Sequence, residues 1–333
     1  MRVALDATPL TLSSGGLLRY VSELHRALEA AFPEDEFPLV APPPLRRRWW
    51  LYGLNRELAR RRVDVFHGTN FEVPYVPLRP SVLTLHDLSP WMEPAWHHAA
   101  DRVRSRAPLV IGLGLATMVV TPSQAVRREA IERFDLSPQR VVAVPEAAAA
   151  HLRPAEAPRP APYFLFLGTL EPRKNIPMLV EAWRAARREV AVDLVLAGRS
   201  RADFPALPPE PGLTILGEVA EDRLSALYSG ALAFVYPSLY EGFGLPVLEA
   251  MQCGAAVITS RDAAISEVAA GVAEQVDARD ARAWKNALAA AATRPEWVAE
   301  LRAKSLERAR DFSWERTARL TREVYQEALS RFA

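Results

Sequence analysis

Apolar positions along this chain follow two alternating rhythms. Short runs rich in β-branched residues, VALDATPL, VDVFHG, SVLTLHD and TMVVTPS, alternate with segments whose apolar residues recur at helical spacing, as Leu17, Val21, Leu24 and Leu28 do. Ser123 stands where it would cap the helix that follows TMVVTPS. The rhythm restarts with YFLFLG, a helix after Pro177, DLVLAG, LTILG, AFVYPS and AAVITS, and ends in three helical stretches. Strands alternating with helices predict parallel sheets wrapped by helices, and the restart predicts two of them. At 333 residues the chain is also longer than one core usually supports. The proline-rich segment Arg153–Pro162 between the halves can continue neither strand nor helix and reads as a linker. The expected organisation is therefore a first doubly wound domain at 1–152, a linker at 153–162, a second doubly wound domain at 163–312, and a C-terminal helix at 313–333.

Composition removes several function classes. The 41 basic and 40 acidic residues leave a formal net charge of +1, so nothing global attracts a polyanion and nucleic acid is not an expected partner. A single cysteine, Cys253, excludes an intrachain disulfide and a thiolate metal cage; its place in the chain reads as a small core residue, and a reducing cytoplasm fits. The longest apolar run, Ala107–Val120, is interrupted by proline, glycine and threonine, so neither a signal peptide nor a spanning helix is expected.

In open α/β sheets ligands bind beyond the carboxyl ends of the strands, which directs attention to Gly15-Gly16, Gly68–Asn70, His86-Asp87, Gly168–Lys174, Gly198-Arg199 and the stretch YEGFGLPVLEAM after AFVYPS. In that stretch Gly242-Phe243-Gly244-Leu245 approaches a helix with Pro246 near its first position, where backbone N–H groups and the helix dipole form an anion site. Glu241 falls in the loop and Glu249 about one turn inside the helix; a carboxylate accepts two hydrogen bonds and suits vicinal sugar hydroxyls, although a glutamate near a helix start is also a plain dipole partner. The loop Gly168-Thr-Leu-Glu-Pro-Arg-Lys-Asn175 brings Arg173 and Lys174 to the same carboxyl edge, where cations and N–H groups can stabilise charge on a departing diphosphate. No Asp-x-Asp occurs, no metal site is expected, and the cations would act in a metal's place.

Taken together, the E-x7-E pattern EGFGLPVLE, the loop GTLEPRKN, LVLAGR, ILGEV, the start GGLLRYVSEL and the end FSWERTARLTREVY resemble glycosyltransferase family 4, retaining enzymes of the GT-B fold. GTLEPRKN and TLHDLSP are most similar to its mannosyltransferase B-like branch. The resemblance implies two Rossmann-like domains facing across a cleft, acceptor side first and nucleotide-sugar side second, with the C-terminal helix crossing back to the first domain. It assigns Glu241 to donor-sugar hydroxyls, Glu249 to the nucleotide ribose, Arg173 and Lys174 to the diphosphate, Gly15 and Gly16 to a phosphate-approaching loop, His86 to the donor sugar and Val219 to the base. Gly168, Gly198, Arg199, Gly242, Phe243, Gly244 and Leu245 complete the expected donor site. Two departures stand out: Thr169 replaces the arginine common after the phosphate-loop glycine, and Pro145–Ala150 lacks the glycine usual at the end of the first domain.

The implied activity is metal-independent, retaining hexosyl transfer from a nucleotide diphosphate sugar, GDP-mannose favoured over UDP-sugars, to a glycan or lipid-linked acceptor in polysaccharide assembly, with no further cofactor. Same-face attack is preferred to a covalent intermediate. A sugar-nucleotide hydrolase or epimerase, and a nucleotide-sugar-binding protein without turnover, remain the alternatives. Arg46–Arg62, basic and aromatic, reads as a partly buried helix with a solvated arginine face or as a peripheral contact with the inner face of a membrane. His97, His98 and His151 are expected as surface residues without matching partners.

Overall fold

The computed structural model describes residues 1–12, 15–43, 48–97, 101–156 and 161–332, which divide into two compact units: Met1–Ala147 with Phe312–Ala333, and Ala148–Asp311. The first carries β1 (Val3–Asp6), α1 (Thr8–Leu12), α2 (Gly16–Ala31), β2 (Leu39–Val40), α3 (Leu54–Arg60), β3 (Val65–Gly68), β4 (Ser81–Thr84), α4 (Ser89–Met92), α5 (Asp101–Gly112), β5 (Met118–Thr121), α6 (Gln124–Phe134) and β6 (Val141–Ala143). The second carries β7 (Tyr163–Leu167), α7 (Ile176–Arg187), β8 (Asp193–Ala197), β9 (Leu213–Gly217), α8 (Glu221–Ser229), β10 (Ala233–Tyr236), α9 (Leu245–Gln252), β11 (Val257–Ser260), α10 (Ala263–Ala269), β12 (Glu274–Val276), α11 (Ala281–Thr293) and α12 (Pro295–Ala309). The last helix, α13 (Trp314–Phe332), returns to the first unit.

Each unit is built on a six-stranded sheet, in the orders β2-β1-β3-β4-β5-β6 and β12-β11-β10-β7-β8-β9, and the pairings within them are parallel. Helices on both faces bury β1, β3, β4, β5, β10 and β11 along their whole length, which is why these strands read as continuous apolar runs. As its position predicts, Ser123 caps α6, accepting from the Val126 N–H at 3.2 Å.

Helix α13 completes the first core. Trp314, Ala318, Val324, Tyr325 and Ala328 pack with Val3, Leu5, Val21, Leu24 and Leu28, so the chain's last residues close a core begun by its first. Polar bonds fix the register: Thr317 donates to the Pro145 carbonyl at 2.7 Å, and His67 Nδ1 meets the Tyr325 hydroxyl at 2.7 Å. His67 Nε2 lies 2.7 Å from Thr84 Oγ1, which in turn lies 3.0 Å from the Tyr20 hydroxyl. Burial, and secondarily His86, pushes the His67 imidazole down to about 3, so it remains neutral in this satisfied network.

The division between units falls before the proline-rich segment. Arg153 and Ala155 donate their N–H groups to Ser225 and Ser229 of α8, so the start of the expected linker is already tied to the second unit, and residues 157–160 lie outside the described ones. Proline stops regular structure but does not prevent backbone donors elsewhere in the segment from docking.

Candidate active site

In the second sheet the strand order reverses between β7 and β10, with β8 and β9 on one side and β11 and β12 on the other. The loops leaving these two strands lie at the carboxyl edge of the sheet, where ligands of open α/β sheets bind. They are the sequences singled out above, GTLEPRKN after β7 and PSLYEGFG after β10.

Local chemistry shapes the first loop. Pro172 opens a short 3₁₀ turn through Lys174, Asn175 takes the left-handed conformation at φ 58° that asparagine tolerates, and Pro177 sits in the first turn of α7. The Asn175 side chain donates to the Ala278 carbonyl at 2.6 Å. Gly198, at φ 127°, lets the loop after β8 pass against it: a Cβ there would lie 2.0 Å from the Gly168 carbonyl oxygen. The loops are stitched by Leu170 N–H to Arg199 O and Leu239 N–H to Arg173 O, both 2.9 Å.

These constraints gather a buried charged cluster. Lys174 Nζ donates to Glu241 Oε1 at 2.5 Å and to the Tyr236 hydroxyl at 2.6 Å; Ser238 donates to the same carboxylate oxygen at 2.5 Å. Arg173 reaches Glu241 Oε2 at 3.1 Å, the Tyr240 carbonyl at 2.7 Å and Glu171 at 2.9 Å, and Arg201 lies 3.4 Å from the other Glu171 oxygen. Burial would raise the Glu241 carboxyl, but Lys174 and Arg173 outweigh it and hold the group at about 2. Burial and the neighbouring Arg173 pull the Lys174 ammonium down, against the attraction of Glu241. Arg201 pairs more closely with Asp203, at 2.5 Å, so Arg173, Lys174 and Arg201 are balanced by Glu171, Glu241 and Asp203. Buried ion pairs contribute little net stability over a packed apolar core, so this arrangement points to a functional site rather than a structural staple.

The second loop ends at Gly244, φ 99°, with Leu245 opening α9 and Pro246 in its first turn. Glu249, 2% exposed, accepts from the Tyr228 hydroxyl at 2.8 Å. Glu241 is thus held among cations and Glu249 against α8. Val219 follows β9 half-buried, and Phe243 is buried. Sequence reasoning passed over Tyr236, Ser238, Glu171 and Asp262, whose carboxylate accepts from the Glu241 N–H at 3.2 Å. Each lies in or just beyond a strand end already identified, so applying the strand-end rule to every residue would have found them.

In the first unit Gly15 caps α2 at φ 74°, with open space where a side chain would stand, and Gly16 begins the helix. His86 is engaged within the unit: Nε2 lies 2.8 Å from the Thr69 carbonyl, Nδ1 3.5 Å from Glu146, and its ring packs edge-on against Tyr20 at 4.8 Å. One expectation needs correction: His97 is half-buried and bonds Ser89 at 2.7 Å, a partner eight residues away across the α4 turn, while His151 is exposed as expected and approaches Glu221 at 3.3 Å; His98 lies outside the described residues. In the Arg46–Arg62 segment Trp49 is buried and Trp50 half-buried, while Arg60 and Arg61 both pair with Glu57; Arg46 and Arg47 lie outside the described residues. Cys253 is buried, which pushes its thiol up to about 11, as suits a core residue.

Asp6, at the end of β1, is 3% exposed, and among the described residues its carboxylate receives bonds only from Thr8, through its N–H at 3.0 Å and hydroxyl at 2.6 Å. Burial raises its carboxyl to about 6 despite them. An unfolded aspartate ionises near about 3.9. The folded chain therefore holds an extra proton between those values, and stability falls as pH rises through that window. Asp6→Asn is expected to add about 2–3 kcal/mol to the unfolding free energy at about pH 7.5 and almost nothing below about pH 3.5, read by urea unfolding. Equal effects at both pH values would exonerate the carboxylate charge.

Two six-stranded parallel sheets with flanking helices give the chain the GT-B fold. Residues 14–148 match the family described as Glycosyltransferase Family 4 and residues 161–294 that described as Glycosyl transferases group 1. The chain is 32% identical over 283 residues to the O-antigen chain mannosyltransferase B of Escherichia coli, covering 79% of this chain and 74% of that one. It belongs to glycosyltransferase family 4, in the mannosyltransferase B-like branch. Its fold is similar to sucrose-phosphate synthase from Thermosynechococcus elongatus, with TM-score 0.78 at 20% identity and 99% coverage of both chains. It is also similar to Anabaena HepE in complex with UDP-glucose, with TM-score 0.76 at 15% identity, covering 98% of this chain and 100% of that one.

Proposed function

We propose that this glycosyltransferase moves mannose from a nucleotide diphosphate sugar, GDP-mannose first, to an acceptor hydroxyl of a growing glycan, with retention and without a metal. The observation that carries the reading is the placement of Arg173 and Lys174 on Glu241 at the strand-order switch of the second sheet. A donor diphosphate across the start of α9 would meet backbone N–H groups and two cations, and the leaving phosphate gains charge as the glycosidic bond breaks. Arg173, braced by Glu171 and the Tyr240 carbonyl, takes the place of the arginine that Thr169 displaces. Glu241 accepts from donor-sugar hydroxyls, and the departing diphosphate receives the acceptor's proton in a same-face attack. His86, already bonded to Thr69, would orient rather than transfer protons. The mannosyltransferase relative supports the sugar, and the UDP-glucose complex of HepE supports a nucleotide-sugar donor.

The acceptor is a glycan, free or lipid-linked, and a peripheral membrane encounter at the cytoplasmic face belongs to the same reading. Among the described residues no helix is long and apolar enough to cross a membrane.

Donor binding gives the direct test. Glu249→Gln keeps an acceptor for Tyr228 but loses the charged partner proposed for the ribose. GDP-mannose affinity by calorimetry should fall about tenfold, roughly 1.5 kcal/mol, with the donor-saturated rate little changed. Unchanged affinity would take Glu249 out of the donor site.

A further inference from the structure

Helix α10 begins against the loop that carries Glu241 and holds it at two points. The Asp262 carboxylate accepts from the Glu241 N–H at 3.2 Å through Oδ2. Gly244, at φ 99°, passes so close that a Cβ there would stand 3.2 Å from Ile265 Cγ1. Asp262 caps α10 and Ile265 lies in its first turn. We propose that Asp262 is a positioning residue for the transfer: it fixes the backbone of Glu241 so that the carboxylate gripped by Lys174 and Arg173 is presented to the donor sugar. The assignment rests on the transferase reading for its consequence in the reaction, but not for the tie between the two residues.

The two oxygens of Asp262 do separate jobs. Oδ1 caps α10, accepting from the Ala264 and Ile265 N–H groups at 3.0 Å each. Serine or asparagine performs that capping about as well as aspartate. An aspartate also brings a charge to a half-buried place beside a second carboxylate: burial lifts Asp262 to about 6, against the Ile265 N–H, and Glu241 adds to the rise. A neutral cap would avoid that cost. What a neutral cap lacks is a second acceptor oxygen, and the Glu241 N–H uses it. Asp280 gives the contrast within the same unit: it caps α11, accepting from the Ala283 N–H at 2.9 Å, and stands exposed, where an ionised cap costs little.

Glu241 needs this second anchor. Lys174 and Ser238 hold one carboxylate oxygen and Arg173 the other, which fixes the tip of the side chain. Its backbone end lies in a loop with glycines at 242 and 244, where the chain has wide conformational freedom. Anchors at both ends set the tilt of the carboxylate as well as its place. A sugar hydroxyl senses that tilt, because a hydrogen bond weakens steeply as it bends.

Asp262→Asn separates the two jobs, since its carbonyl oxygen can cap α10 while its NH2 group meets the Glu241 N–H donor to donor. Asp262→Ser keeps a capping oxygen and has no second one. Residue-resolved amide hydrogen exchange at about pH 7.5, where Asp262 is ionised, reads the tie without donor or acceptor present. In both variants the Glu241 amide should exchange at least about tenfold faster, with the Ala264 and Ile265 amides within about threefold of wild type. GDP-mannose affinity by calorimetry should stay within about threefold while the donor-saturated transfer rate falls about tenfold, the split expected when a group acting at the sugar is tilted and the diphosphate site is intact. Asp280→Asn is the control and should leave all of these within about twofold. An unchanged Glu241 amide in both variants, a released amide with a wild-type transfer rate, or a rate that falls only in step with lost protection at Ala264 and Ile265 each overturns the proposal, the last by making Asp262 a plain cap. A wild type that turns over no nucleotide sugar, with the Glu241 amide released in both variants, sinks the transferase reading and leaves the tie standing. Normal wild-type transfer with the Glu241 amide unmoved in both variants does the reverse.

Discussion

Lys174→Ala is expected to lower the donor-saturated transfer rate by about 10²–10³ while weakening donor binding much less, because Lys174 acts on charge that grows as the diphosphate leaves. The cluster tolerates the loss: Glu241 keeps Arg173 and Ser238 as donors, so no buried carboxylate is stranded. The control is Arg188→Ala, an exposed cation at the end of α7, which should be near neutral. Arg187, one residue earlier, is unsuitable as a control: it bonds Asp193 at 2.8 Å and lies over the Trp183 ring at 5.3 Å. Single-turnover rates in the presence of EDTA separate chemistry from product release and test metal independence together. Equal rates for wild type and Lys174→Ala would contradict the assignment, and loss of wild-type turnover in EDTA, restored by magnesium or manganese, would overturn the metal-free account.

Glu241→Ala should act first on stability. Removing the carboxylate leaves Lys174 buried without its anion, a change expected to cost about 3–5 kcal/mol in unfolding free energy. The pH dependence identifies the cause. In the wild type the Glu241 carboxyl, held at about 2, adds stability that is present above about pH 4.5 and lost as pH falls toward 2. The variant lacks that acid limb. Its Lys174, which burial draws below the ordinary lysine range, binds fewer protons folded than unfolded, so the variant recovers stability as pH rises through that interval. Adding Lys174→Met should restore part of the loss, a non-additivity that a double-mutant cycle measures. A loss that is independent of pH and simply additive would show that Glu241 matters for packing rather than charge.

Much of this protein is legible in its sequence, for identifiable reasons. The buried strands of parallel sheets are continuous apolar runs, so YFLFL and AFVY mark themselves, and Ser123 and Pro177 carry local instructions for a cap and a helix start. The rule that ligands gather at strand ends then selects GTLEPRKN and YEGFG from the sequence.

Tertiary structure decided what local rules cannot carry. Strand order brings the ends of β7 and β10 side by side, so Lys174 meets Glu241 across 67 positions of sequence and acquires Tyr236 and Ser238 as companions. His67 shows the same limit, since its neutral state follows chiefly from burial in a core that the returning α13 completes, and its Nδ1 partner, Tyr325, stands 258 residues away. Propensity, capping and turn chemistry act over a few residues and can be read in one dimension. Partners, burial and the resulting shifts in proton affinity depend on which distant segments share a core, and only the folded chain settles that.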